Sequence, residues 1–123
     1  MTARELSLSQ LTTELTDFLG LPAELDLPPL YSVSVRRTPD TGWKVKAFLA
    51  AHDDQVTWAR MQQWAVYTGG TVEVDERSYP ASHQPSGMQR SLRLIVVVAE
   101  VPVEIVSGVD ALFEIPAAQA VAS

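Results

Sequence analysis

A chain of 123 residues, 46% hydrophobic and 20% charged, can bury roughly two thirds of its unfolded surface and needs neither disulfide nor structural metal to fold. It has no cysteine, which excludes thiol catalysis, disulfides and cysteine-ligated zinc. A formal charge of −6 repels phosphate backbones and disfavours nucleic acid as a partner.

The first residues, MTARELSLSQL, lack the apolar core of a signal peptide, so a cytoplasmic protein is the expectation. Leu8, Leu11, Leu15, Phe18 and Leu19 recur at helical spacing and predict a short amphipathic helix over about 8–19. Ser7 or Ser9 caps it, and Gly20 and Pro22 stop it. Three prolines in 21–30 predict an extended connector that lays Leu21, Leu25, Leu27 and Leu30 along the core.

A hairpin follows. Residues 31–36 and 43–47 alternate apolar and polar around the turn formers of 38–42. One face carries Tyr31, Val33, Val35, Trp43, Val45 and Ala47; the other carries Ser32, Ser34, Arg36, Lys44 and Lys46. The main helix is expected over about 53–68, capped by Asp53 or Asp54 and ended by Gly69-Gly70. Trp58, Met61 and Ala65 form one apolar stripe. Val56, Trp64 and Tyr67 form a second, so this helix is covered on two sides, by the sheet and by the first helix or a second subunit.

Residues 71–79 read as a partly exposed strand with Val72 and Val74 inward, and 80–91 as a polar loop. The most apolar stretch, Leu92 to Val109, is either two strands turning near Ala99-Glu100 or one long kinked strand. A membrane span there is rejected, because Arg93, Glu100, Pro102 and Glu104 would sit in lipid. Leu92, Leu94, Val96 and Val98 face one way, while Ile95 and Val97 need cover on the other. The helices supply one cover; the second is the connector 21–30, the C-terminal residues or another copy of the chain. The expected whole is one α+β domain over 1–123, with frayed ends at 1–6 and 116–123. It has a mainly antiparallel four- to five-stranded sheet with the main helix packed on one face.

Chemistry-bearing patterns are sparse. His52-Asp53-Asp54 is read as a helix cap beside a surface histidine rather than a general-base or metal cluster, since adjacent residues seldom converge on one ligand. His83 lies in the polar loop without a GxSxG elbow, and no phosphate-binding glycine motif occurs. Glu73, Asp75 and Glu76 are expected to face Arg36, Lys44 and Lys46 as cross-strand charges on a solvated sheet face, or to form a recognition patch with them. No catalytic set, metal site or cofactor is called for.

The stretch DDQVTWARMQQWAVYTGGTVEV, with VVVAEVPVEIV further on, resembles small single-domain proteins of GC-rich actinobacteria that carry no assigned activity. The absence of Asn and the excess of Arg over Lys suit such a genome. The resemblance covers about half the chain and implies a fold and no site.

Three functions follow in order of preference. The first is a non-enzymatic protein-interaction or accessory module that self-associates as a homodimer, with Arg36, Lys44, Lys46 and Trp64 as its patch. The second is a small-molecule-binding domain or unusual enzyme with a pocket between sheet and helix, using Tyr79, His83 and Arg90. The third is nucleic-acid binding through Arg36, Arg37, Lys44 and Lys46.

Overall fold

The alternating and helical patterns assemble in one order: α1 (Leu8–Leu25), β1 (Leu30–Thr38), β2 (Gly42–Leu49), α2 (Asp54–Thr68), β3 (Glu73–Pro80), β4 (Met88–Val98) and β5 (Val101–Asp110). The structure is a computed structural model that describes residues 7–25, 27–39, 42–50, 53–98 and 100–116. The expectations for His52 and for the ends, Pro116 apart, lie outside the described residues. The five strands form one sheet in the order β1-β2-β5-β4-β3, with every neighbouring pair antiparallel except β2 and β5. The fold is therefore α+β, mostly antiparallel, with two helices among the described residues. Among the described residues no helix is long and apolar enough to cross a membrane.

Ser7 and Gln10 start α1 as a reciprocal cap. The Ser7 N–H donates to Gln10 Oε1 at 2.9 Å and the Gln10 N–H to Ser7 Oγ at 3.2 Å. The helix does not stop at Gly20 and Pro22 but continues to Leu25. A proline's fixed φ is itself helical, so it deletes one backbone bond without closing the helical path. The extended connector is correspondingly short.

Asp53 caps α2, its carboxylate accepting the Val56 N–H at 3.1 Å. Gly69 ends the helix at φ 74°, a left-handed conformation that glycine adopts without a Cβ penalty. The buried face of α2 is Thr57, Trp58, Met61, Trp64 and Ala65. Trp64 thus belongs to the same stripe as Met61 and Thr57, from which it lies three and seven residues along, close to one and two turns. It is fully buried, with its ring 5.5 Å from Phe18 of α1, and is unavailable to a partner subunit. Its place in the expected interaction patch is corrected accordingly.

The run at 92–109 is a hairpin. Val98 pairs with Val101 across the turn, where Glu100 has φ 69°. β4 also begins earlier than the polar composition indicates, at Met88, leaving a compact loop over 81–87. β5 lies at the centre of the sheet, and Val103, Ile105, Leu92 and Leu94 are fully buried beneath the helices.

Both helices pack on the same side of the sheet. Leu27 and Leu30 of the connector, and Phe113 and Ile115 after β5, pack against that same core. None of these covers the opposite face.

Candidate functional site

Because side chains alternate across a strand, each strand that buries one set of residues presents the other to the opposite face, which is uncovered among the described residues. On β4, Leu94 is 1% exposed while its neighbour Ile95 is 45% and Val97 is 67% exposed. The same face carries Arg36 of β1, Lys44, Lys46 and Phe48 of β2, and Pro102, Glu104 and Val106 of β5. A register shift between Leu30 and Ser32 rotates Tyr31 out of the alternation. Expected with the inward Val33 and Val35, Tyr31 instead stands exposed with its ring 6.2 Å from Phe48.

Two depressions mark this face. A broad groove of about 1200 Å³ runs from Tyr31 and Phe48 across Val106 and Gly108 to a wall made by β3 and His83. A smaller one of about 440 Å³ lies among Arg36, Lys44, Ile95 and Pro102. Both lie on the sheet, not between sheet and helix, where the side chains of α2 and the strands are packed together.

Of the three residues expected to bind a ligand, Tyr79 and His83 line the groove. Arg90 does not. It sits one residue out of phase with Gln89 and Ser91, on the helix side, and donates from Nη2 to the Phe113 carbonyl at 2.6 Å. Gln89 and Ser91 also line the groove; the sequence did not single them out, because assignment of 80–91 to a loop concealed the parity that they share with Arg93 in MQRSLR. Gln89 Nε2 donates to Tyr79 Oη at 2.6 Å, Ser91 Oγ donates to the same oxygen at 3.3 Å, and Gln84 Nε2 donates to Gln89 Oε1 at 2.8 Å. This cluster depends on Gly108, since a Cβ there would collide with the Gln89 side chain.

The charges do not pair as expected. Glu73 binds Arg93 on the adjacent strand, Oε2 accepting from Nη2 at 2.9 Å and from Nε at 3.2 Å. The hydrogen bond and charge of Glu73, with Glu104 and Asp75 beyond, raise the Arg93 pKa. Lys46 lies 4.0 Å from Glu104. Three strands separate β1 from β3 and two separate β2 from it, so Arg36 and Lys44 cannot reach the β3 carboxylates within one chain. Arg37 stacks 5.5 Å over Trp43 on the other parity, which splits the basic set expected to meet nucleic acid. Among the described residues no group of three or more His, Cys, Asp or Glu side chains is arranged to hold a metal ion.

Asp110, buried at the end of β5, fixes the loop that carries His83. It accepts the Ser86 N–H and the Leu112 N–H, each at 2.8 Å, and its own N–H donates to Asp54 Oδ1 at 3.1 Å. The two accepted bonds, Ser86 first, hold its carboxyl below the ordinary carboxylate value. A depressed folded-state pKa means that this stabilisation is complete above the unfolded value of about 3.9 and is lost as pH falls through the folded one. Asp110→Asn is expected to lower the Tm at neutral pH and to flatten the decline below about pH 4. A wild-type decline no steeper than the variant's would show that the Asp110 bonds do not hold the loop.

No protein-family model, curated protein or solved structure matches this chain.

Proposed function

We propose that this protein is a non-enzymatic interaction module whose working surface is the uncovered face of its sheet. The observation that carries this is the asymmetry of β4 and β5. The helices, Leu27 and Leu30, and Phe113 and Ile115 crowd one side, while Ile95, Val97 and Pro102 stand open on the other. A strand side chain as apolar as these is kept at the surface at the risk of aggregation, so contiguous exposure of this kind marks a binding surface. The interaction patch is Arg36, Lys44 and Lys46 with these apolar neighbours. A cysteine-free chain suits a cytoplasmic setting, and the resemblance to small actinobacterial proteins belongs to the same reading.

Immobilised wild-type protein is expected to retain a partner from its host that the Ile95→Asp/Val97→Asp variant does not, while Val66→Asp, on the exposed side of α2, retains it fully. Equal retention by all three proteins would sink the proposal.

A second reading is favoured by the Tyr79, Gln89 and Ser91 cluster, a set of hydroxyl and amide groups suited to a small polar molecule. It ranks below the first because the groove exceeds the usual ligand pocket in volume and runs across the sheet rather than enclosing a site.

A further inference from the structure

The uncovered face has four corners of different chemistry. Val45 is level with Val103 and Val97 with Pro102, so Arg36, Lys44 and Lys46 share one end of the sheet with Ile95, Val97 and Pro102. Phe48 is level with Val106, and so is Arg93, the partner of Glu73. The aromatic pair Tyr31 and Phe48 therefore shares the opposite end with the β3 wall. In that wall Glu73, Asp75 and Glu76 outnumber Arg77 and Arg93, whereas among the described residues that line the smaller depression Glu104 is the one carboxylate beside three cations. Basic and acidic corners stand on one diagonal, and the two apolar corners stand on the other.

That pattern is self-complementary. Two copies packed face to face are related by a two-fold axis lying between the sheets. An axis along the apolar diagonal exchanges the ends of the charged diagonal, laying each basic corner over an acidic one twice. The same axis leaves each apolar corner over its own equivalent. An axis along the charged diagonal would instead stack like charges. The favoured axis is oblique to the strands, so the sheets cross at a wide angle, as in orthogonal sheet packing.

The area is of the right order. Strands of eight to eleven residues, spaced about 4.8 Å apart and rising about 3.3 Å per residue, present at most on the order of 700 Å², near the roughly 800 Å² each partner gives to a standard interface.

We infer that the uncovered face binds a second copy of this chain about this axis, Arg36, Lys44 and Lys46 of each copy meeting Glu73, Asp75 and Glu76 of the other. The inference rests on the reading of this face as an interaction surface and names its partner.

Sedimentation at rising protein concentration tests it. The wild type is expected to be dimeric at low ionic strength and to dissociate at least tenfold more readily in high salt. K44E/K46E and E73K/E76K are each expected to be monomeric, and their equimolar mixture to recover a heterodimer. A cysteine-free chain allows a second measurement that spares the ion pairs. V97C, near the axis, should cross-link to its own copy under mild oxidation, while V66C on α2 should not.

A wild type that stays monomeric at high micromolar concentration, a charge-reversed mixture that fails to associate, or a V97C protein that does not cross-link would each overturn the self-association. Host-partner capture that still depended on Ile95 and Val97 would then leave the interaction surface standing with another occupant. Capture indifferent to both residues would remove the surface as well.

Discussion

Trp64→Ala is expected to cost about 4 kcal/mol, a large part of the stability of an ordinary domain, read as a fall in the urea midpoint. Three contacts fail together. The ring is fully buried on α2, meets Phe18 of α1 at 5.5 Å, and stands edge-on to Tyr67 at 6.4 Å. Its Nε1–H donates at 2.9 Å to the carbonyl of Pro28, in the segment between α1 and β1. Trp64 therefore joins helix to helix and both to the entry of the sheet.

Trp64→Phe separates the parts. It keeps most of the apolar ring but leaves the Pro28 carbonyl without its donor, and should cost about 1–3 kcal/mol from that bond and the lost volume. If Trp64→Ala lost less than the phenylalanine variant is expected to lose, roughly 1 kcal/mol, the ring would not be joining these elements. Neither substitution should alter binding at the sheet face except through the amount of folded protein.

Local patterns in the sequence carried most of the elements and little of their assembly. The β1–β2 hairpin, the Asp53 cap and the Gly69 stop were legible because each is decided within a few residues. The parallel pairing of β2 with β5 was not, because it joins segments more than fifty residues apart and leaves no mark on either strand's alternation. Trp64 was misjudged by dividing one broad helical stripe into two. Tyr31 was placed inward because a register shift is set by the partner strand and cannot be counted from spacing.

For the site, the need of Ile95 and Val97 for cover was readable, as was the presence of two charged sets. Their location was not. With the strand order unknown, Arg36, Lys44 and Lys46 could be set directly against Glu73, Asp75 and Glu76. The order β1-β2-β5-β4-β3 moves them toward opposite edges of one face and leaves their pairing to the proposed contact between copies.

The sharpest contrast on the sheet lies between adjacent residues. Leu94→Ala is expected to cost about 3 kcal/mol. Leu94 is completely buried beneath the end of α2, close enough that a Cβ on Gly70 would meet its Cδ1 at 2.8 Å, so truncation leaves a cavity that the helix cap cannot follow. Ile95→Ala removes a side chain of similar size and is expected to cost about 1 kcal/mol, since nearly half of that surface already meets water and correspondingly less burial is lost. Chemical denaturation of the two variants reads the difference directly, and costs within about 0.5 kcal/mol of each other would show that the second face is covered within the chain itself. If the costs differ as expected, stability resides almost wholly on the helix side. Ile95 and Val97 then contribute little to folding, which is the condition for their serving the proposed interaction surface instead.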